Sequence, residues 1–252
     1  MTCLSSFAGT VSAGTLYGVG VGPGDLRYLT LRAASVIQLV DVLAYFAKRG
    51  QDSNARRIVA PLVSNGREEA VLEYPVTNEL PVDHPDYQSQ IAGFYRDAAE
   101  RLAGHLADDR SVALLSEGDP FFYGSFTHLW WRLKSRFPVE VVPGVTGMSG
   151  CWTRAKTPIT SGNDVLTVLP GTLDEDVLVS RLASADAAVV MKVGRNLPKV
   201  RRAVEAAGHL PHAVYVERAT MVDERILPLG DCSQKTGPYF SMVLIPGRGR
   251  RA

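Results

Sequence analysis

Short apolar runs alternate with amphipathic helical patterns along this 252-residue chain, and this alternation constrains the fold more than any other feature. The runs at 15–21 and 111–116 have the length of buried strands, whereas residues 87–107 repeat apolar side chains along one helix face. Strands that alternate with helices predict an α/β protein. Further strands are expected at 41–46, 67–76, 164–170, 187–193, 213–219, 225–230 and 239–247, and further helices at 29–40, 123–136, 174–184 and 196–208.

The alternating elements fall into two series, which predict two α/β sub-domains. A joint near Pro138 would separate a first sub-domain at 15–137 from a second at 138–252, and residues 1–14 would form a flexible leader. No helical pattern directly precedes the last predicted strand, at 239–247, so we expect the second sub-domain to end in antiparallel strands.

Composition and charge argue against several classes of protein. Hydrophobic residues make up 46% of the chain and charged residues 21%, as in a globular protein that buries a full core. The net charge of +1 provides no overall field to attract nucleic acid or an anionic membrane, so neither is an expected partner. Residues 1–14 lack the positive start and apolar core of a signal peptide, and no apolar run approaches the roughly 20 residues of a membrane helix.

Cysteine and histidine usage predicts neither a disulfide framework nor a structural metal. The three cysteines, Cys3, Cys151 and Cys232, are far apart and form no C-x-x-C motif, which favours a reducing cytoplasm. The five histidines show no metal-ligand spacing. We therefore expect no bound metal.

The stretch YGVGVGPGDL at 17–26 carries four glycines between a predicted strand and a predicted helix, where a dinucleotide-binding loop would lie. The pattern G-x-G-x-x-G fails in both frames, because Pro23 and Asp25 occupy the sixth positions. A carboxylate at position 25 would also repel a pyrophosphate. These glycines instead predict a tight turn with special backbone dihedrals, and we expect Asp25 to cap the next helix or to face a substrate cavity.

A second glycine-bearing turn, SEGDPFFYGS at 116–125, follows the buried strand at 111–116. Ligands bind beyond the carboxyl ends of strands in open α/β sheets. A stiff Gly-Asp-Pro turn there would direct carbonyl or carboxylate oxygens outward, which suits a ligand with a cationic centre or an amine. An ordinary β-turn with the same residues is the alternative.

Five segments in order, VGVGPGD, LSEGDPFFYGS, VVPGVTGMSG, VVMKVGR and VYVERAT, resemble the tetrapyrrole methylases over about residues 15–247. The resemblance implies two α/β sub-domains with a cleft between them, the class III methyltransferase fold. It also implies S-adenosylmethionine as cofactor, S-adenosylhomocysteine as product and a homodimer. The substrate would be a small-molecule tetrapyrrole.

Within that family the pattern is most similar to the branch that methylates C20 of precorrin-2 to give precorrin-3A in cobalamin biosynthesis. Methylation of the same carbon on the cobalt-containing ring, or of another ring carbon, remains an alternative. A methyltransferase acting on RNA or on a protein side chain is a different class, and the balanced charge argues against RNA. A non-catalytic tetrapyrrole- or nucleoside-binding module is a third.

The resemblance also implies which residues bind the cofactor. Met191 read by itself is an ordinary core methionine, and Ala219 departs from the Gly-Thr sequence of many relatives. That departure matters little where only the backbone meets the base. The positions that match the family's cofactor contacts are Pro23, Glu117, Gly118, Asp119, Phe122, Thr146, Gly147, Met191 and Ala219.

A substrate with many carboxylates needs cationic partners, and arginine binds carboxylates bidentately. The candidates are Lys48, Arg49, Arg56 and Arg57 in the first sub-domain and Lys192, Arg195 and Arg218 in the second. A solvated basic loop is the alternative for the first four.

The catalytic group stays open. Some relatives that act on an earlier ring carry a proton-accepting aspartate just after the second strand, but Phe46 stands there in this chain. We therefore do not transfer that role. Tyr45 and Glu117 are candidates for handling a proton.

Overall fold

The computed structural model describes residues 10–75 and 85–247, which form two compact units. The first unit ends at Thr146 and the second begins at Gly147. Most of the predicted leader, residues 1–9, lies outside the described residues, as do the last position of the strand expected at 67–76 and His84.

The first unit contains a five-stranded sheet with the order β3-β2-β4-β1-β5. Every pair in this sheet is parallel, so all five carboxyl ends meet at one edge. We call it the carboxyl edge. The strands are β1 (Leu16–Gly20), β2 (Val42–Lys48), β3 (Glu68–Tyr74), β4 (Val112–Ser116) and β5 (Val139–Val142).

Helices cover both faces of this sheet, because the side chains of a buried strand alternate between two apolar layers. On one face Leu16, Leu114 and Phe126 share a cluster with the helix residue Leu102. On the other, Tyr45 and Leu115 lie in a cluster that includes helix residues. The helices are α1 (Leu31–Leu39), α2 (Asn54–Ile58), α3 (Pro85–Ala107) and α4 (Phe126–Leu133).

The boundary between the units lies later than the sequence indicated. The prediction placed it between residues 137 and 138, which would assign β5 to the second unit. In the structure β5 pairs with β1, with Val139 opposite Leu16, and therefore completes the first sheet. Hydrophobic periodicity identifies a strand but does not say which sheet the strand joins.

The second unit has its own five-stranded sheet, with the order β6-β7-β10-β8-β9. Only β6 and β7 pair in parallel, and the other three pairs are antiparallel, which confirms the expected antiparallel ending. Its elements are α5 (Gly147–Arg154), β6 (Leu166–Pro170), α6 (Glu175–Ala183), β7 (Ala187–Met191), α7 (Leu197–Ala206), β8 (Val214–Glu217), β9 (Arg225–Pro228) and β10 (Ser241–Ile245). Within residues 10–75 and 85–247, no helix combines the length and hydropathy needed to span a membrane.

Candidate functional site

Three loops leave the carboxyl edge of the first unit side by side, after β1, β4 and β5. The Gly118 N–H donates to the Gly22 carbonyl at 2.9 Å, and the Gly22 N–H donates back at 3.4 Å. The Val21 N–H donates to the Ser116 carbonyl at 2.9 Å. The two glycine-bearing turns predicted from sequence are therefore joined backbone to backbone.

Glycine is required where these loops touch. A Cβ on Gly20 would lie 2.6 Å from the Gly118 carbonyl oxygen and 2.6 Å from the Gly144 nitrogen. A Cβ on Gly144 would lie only 2.0 Å from the same carbonyl oxygen. Gly22 and Gly118 also have φ values of +78° and +66°, in the region that favours glycine. The predicted tight turn after β1 is confirmed.

Gly18, inside β1, has a different reason to be glycine. A Cβ there would lie 2.3 Å from Cζ of Phe126, the fully buried first residue of α4. The glycine leaves room for the ring against the strand, and so helps to fix α4 behind the second loop.

The two aspartates of these loops have separate roles. Asp25 accepts from the Arg27 N–H at 2.8 Å and pairs with the Arg27 guanidinium at 2.6 Å, so it caps the short 3-10 turn at Leu26–Tyr28. It does not cap the helix expected at 29–40, because Thr30 caps α1 by accepting from the Ala33 N–H. Asp119 accepts from the Phe121 N–H at 2.9 Å through one oxygen and from the Gly144 N–H at 3.1 Å through the other. Asp119 therefore ties the second loop to the third.

Glu117 directly follows β4, and its side chain is half-buried. Desolvation raises the pKa of this carboxyl above its usual value, and hydrogen bonds from its own N–H and from the Ala55 N–H in α2 partly oppose the rise. A carboxyl group in such surroundings releases its proton at a higher pH than an exposed one.

Three side chains on the same side of the sheet form a polar network that the sequence did not predict. The Arg56 guanidinium donates to both carboxylate oxygens of Glu69, at 2.8–3.1 Å, and the Tyr45 hydroxyl donates to Glu69 at 2.6 Å. The arginine lowers the pKa of Glu69, while burial and then the bond to Glu69 raise the pKa of Tyr45 to about 12. Tyr45 is therefore a poor proton acceptor, and Arg56 is already engaged by a carboxylate.

The other predicted basic residues of the first unit lie on the surface. Lys48 ends β2 and is exposed, Arg49 follows it, and Arg57 is exposed on α2. The structure brings these three close to the carboxyl edge because the chain runs from β2 directly into α2. In the second unit Lys192 and Arg195 are exposed, and Arg218 pairs with Asp223 at 3.2 Å.

The second unit brings together Met191, at the end of β7, and Ala219, just beyond β8. Both pack into one apolar cluster with Val216 and Leu244. Gly147 opens α5 against the same cluster, since a Cβ there would lie 3.0 Å from Cε of Met242.

Non-glycine residues beside these two positions have unusual backbone conformations. Lys192, Arg218 and Thr220 have φ values of +54°, +47° and +71°. Such conformations are uncommon for side chains of this kind, and they concentrate at functional sites. They therefore mark the ends of β7 and β8 as a candidate site within the second unit.

Residues 15–232 match the sequence profile of the tetrapyrrole (corrin/porphyrin) methylases. The chain belongs to this family. It is 54% identical over 237 residues to a precorrin-2 C(20)-methyltransferase from Sinorhizobium sp, which covers 94% of this chain and 97% of the relative. It is 26% identical to a cobalt-precorrin-2 C(20)-methyltransferase from Salmonella typhimurium, over 92% of this chain and 96% of that one.

A solved structure shares the fold. The uroporphyrin-III C-methyl transferase of Thermus thermophilus, complexed with S-adenyl homocysteine, superimposes with a TM-score of 0.65 at 22% identity and covers 92% of each chain. The predicted fold class of this tetrapyrrole methylase is therefore confirmed.

An aromatic cluster around Phe46 was also missed by the sequence reasoning. In this methylase the Phe46 ring stacks on Tyr74 with 5.4 Å between the ring centroids. Its centroid lies 6.2 Å from that of Phe94 and 6.3 Å from that of Tyr95. The Tyr74 hydroxyl donates to Oγ of Ser125, next to α4, at 2.6 Å. An aspartate at position 46 would lie among these aromatic rings. This agrees with our decision not to assign to this chain the proton-accepting role that an aspartate has at this position in some relatives.

The structure was also searched for a cavity and for a metal-binding group outside the predicted site residues. A cavity of about 390 Å³ between β3 and α3 is lined by Leu72, Phe94 and Ala98, among others, and by none of the predicted residues. In the described part of the chain, no group of three or more histidine, cysteine, aspartate or glutamate side chains is arranged to hold a metal.

Proposed function

We propose that this methylase transfers the methyl group of S-adenosylmethionine to C20 of precorrin-2, giving precorrin-3A in cobalamin biosynthesis. One observation carries the proposal: the 54% identity to a precorrin-2 C(20)-methyltransferase across almost the full length of both chains. The identity of 26% to the enzyme named for the cobalt-containing ring favours the metal-free ring as substrate.

Each unit has its own proposed cofactor contacts. In the first unit they are Pro23, Glu117, Gly118, Asp119 and Phe122, which lie in loops that pack on one another. Thr146, the last residue of that unit, is a further proposed contact. In the second they are Gly147, Met191 and Ala219, whose apolar surroundings suit the flat face of an adenine.

S-adenosylmethionine supplies a methyl group on a sulfonium, which is already a good leaving group. The chain's own task is to align ring carbon, methyl and sulfur and to hold them in contact. Alignment of this kind lowers a barrier by on the order of 7–11 kcal/mol. Rigid, glycine-packed loops tied by Asp119 suit that task better than a mobile surface would.

The acetate and propionate groups of the substrate would be bound by exposed cations. We assign this role to Lys48, Arg49 and Arg57 in the first unit and to Lys192 in the second. Arg218 is a further candidate, but it is half-buried and pairs with the exposed Asp223 at 3.2 Å. Arg56 was predicted with them, but its bidentate pair with Glu69 makes it a support for the segment rather than a direct ligand.

The deciding experiment incubates the protein with precorrin-2 and S-adenosylmethionine carrying a ¹³C-methyl group, and locates the label by NMR. Label at C20 supports the proposal, and label at another carbon refutes it. A parallel incubation with the cobalt-loaded ring separates the two substrates. Binding of S-adenosylmethionine without transfer to any tetrapyrrole would point to a binding module, and transfer to RNA or protein alone would point to a different class.

We also assign the protein to the cytoplasm as a homodimer, on the strength of the family resemblance and the cysteine usage. Analytical ultracentrifugation at micromolar concentration tests the dimer, and cell fractionation tests the location. A sedimenting species of 27.3 kDa would refute the homodimer.

A further inference from the structure

This inference rests on the proposed function, in which the backbone at Ala219 meets the adenine of S-adenosylmethionine. Ala219 is 6% exposed and lies between two residues with positive φ, Arg218 at +47° and Thr220 at +71°. A left-handed conformation is uncommon for any residue but glycine, and for a β-branched threonine it is rare. It persists only where the surrounding structure enforces it. The groups that hold this turn therefore determine where the Ala219 backbone lies.

Two backbone hydrogen bonds hold the first part of the turn. The Arg218 N–H donates to the Phe240 carbonyl at 2.8 Å, next to β10. The Met221 N–H donates to the Arg218 carbonyl at 2.9 Å. Both bonds place Arg218, and neither of them involves Thr220.

The Glu224 carboxylate holds the second part of the turn. Its Oε2 accepts from the Thr220 N–H at 2.7 Å, and the Glu224 N–H donates to the Met221 carbonyl at 3.3 Å. Residues 220–224 therefore close on themselves. The Glu224 side chain is only 15% exposed, and the Arg154 guanidinium lowers the pKa of its carboxyl below the usual value. The group that binds the Thr220 N–H is thus a carboxylate at neutral pH.

Arg154, the last residue of α5, fixes the direction of the Glu224 carboxylate. Its Nε lies 2.7 Å from Oε2 and 3.0 Å from Oε1, and its Nη2 lies 2.8 Å from Oε1. Such forked pairs are directional as well as strong. The same helix begins at Gly147, another proposed cofactor contact, and its Trp152 packs on the apolar cluster that contains Ala219. The pair therefore joins two segments of the second unit that each carry a proposed contact.

We propose that Arg154 and Glu224 are positioning residues for the cofactor contacts of the second unit. The arginine orients the carboxylate, and the carboxylate binds the Thr220 N–H. Thr220, held in its left-handed conformation, then presents the Ala219 backbone to the adenine. Because the pair acts through the segment that meets the adenine, it sets the affinity for the cofactor and not the rate of methyl transfer.

The test measures the Kd of S-adenosylmethionine by calorimetry for Glu224→Ala, with Glu175→Ala as a matched control. Glu175 forms a similar forked pair with Arg202, at 2.6 and 3.0 Å, between α6 and α7 in the same unit. We expect Kd to rise at least about 10-fold in Glu224→Ala, which equals about 1.4 kcal/mol, close to the net contribution of one hydrogen bond to a charged group. Glu175→Ala should stay within about 2-fold of wild type.

Kinetics and a second ligand separate positioning from a general loss of structure. In Glu224→Ala, KM for S-adenosylmethionine should rise while kcat at saturating cofactor stays within about 3-fold of wild type, because a uniform loss of binding leaves the transfer step unchanged. S-adenosylhomocysteine carries the same adenosine, so its Kd should rise by the same factor.

A double variant tests whether the two side chains act as one unit. Arg154→Ala should also raise the Kd, and combining it with Glu224→Ala should add less than about 2-fold, because the arginine acts only through the carboxylate. Glu224→Gln keeps an acceptor for the Thr220 N–H and should therefore recover part of the affinity lost in Glu224→Ala. Where the alanine variant does not fold, a Kd at least about 3-fold above wild type in Arg154→Ala provides the test.

Several outcomes overturn the proposal. It fails where Glu224→Ala binds S-adenosylmethionine within about 2-fold of wild type, where Glu175→Ala loses as much affinity, where kcat falls at an unchanged KM, or where the losses of the two alanine variants multiply. The proposed function fails separately. A wild type that binds the cofactor but places no label on C20 refutes the reaction, while the binding constants still decide the role of the pair. A wild type that binds no S-adenosylmethionine refutes both.

Discussion

Substitution of Gly144 by alanine tests the loop packing most directly. The added Cβ would lie 2.0 Å from the Gly118 carbonyl oxygen and 2.9 Å from Cα of Gly20. Both neighbours are backbone, and the Gly118 backbone is held by two hydrogen bonds to Gly22. Since real Cβ contacts begin near 3.0 Å, the carbonyl must retreat by at least 1 Å, the difference between 3.0 and 2.0 Å.

Overpacking against well-packed surroundings costs about 1–3 kcal/mol, and each net hydrogen bond lost adds about 1 kcal/mol. We therefore expect Gly144→Ala to lower the free energy of unfolding by about 3 kcal/mol, measured by urea denaturation with tryptophan fluorescence. Because the shift separates the loop that carries Gly118 and Asp119 from the loop that carries Gly144, affinity for S-adenosylmethionine should also fall by at least about 10-fold, which corresponds to 1.4 kcal/mol.

Gly104 provides the matched control. It is exposed within α3 and a Cβ there would meet nothing within 4 Å, so Gly104→Ala should raise stability by up to about 1 kcal/mol. A Gly144→Ala protein within about 0.5 kcal/mol of wild type, with unchanged cofactor affinity, would show that the three loops are not packed as described.

Three further substitutions test other parts of the structure. Asp119→Ala should weaken S-adenosylmethionine binding more than Asp25→Ala, because Asp119 joins two loops whereas Asp25 caps one turn, and equal calorimetric losses would contradict this. Gly18→Ala should cost about 1–3 kcal/mol in urea unfolding and should lose most of that cost in combination with Phe126→Leu, whereas additive losses would exclude the contact. Hydrogen bonds from Ser111, the residue before β4, lower the pKa of Asp41 below its usual value of 3.8. Its contribution to stability is therefore present above that pH and is lost as the pH falls through the folded-state pKa. Asp41→Asn should flatten the decrease in urea midpoint as the pH falls below 3.8, and an unchanged slope would refute this.

Hydrophobic periodicity located most elements because burial dictates it directly. The helix predicted at 87–107 is α3, and the strands flanking the two glycine loops lie where the apolar runs indicated. The five-residue helix α2 was missed, since it is too short to show a period, although Ser53 accepts from the Arg56 N–H as an N-cap would.

The candidate site was predictable only in part. Parallel strands deliver their following loops to one edge, so the approach of the two glycine loops could be expected from the fold class. The pairing of Arg56 with Glu69 could not, because their contact depends on how α2 folds back over β2 and β3. Four basic residues close in sequence therefore gave one internal ion pair and three exposed side chains.

The loop after β1 shows why a glycine-rich sequence does not by itself identify a phosphate-binding site. A phosphate-binding loop directs unpaired N–H groups toward its ligand. Here the N–H groups of Val21, Gly118 and Gly144 donate instead to Ser116, to Gly22 and to the Asp119 carboxylate. With these donors used inside the protein, they are not available to bind an anion. The same conclusion follows from the failed dinucleotide frame and from the hydrogen bonds, which are independent observations.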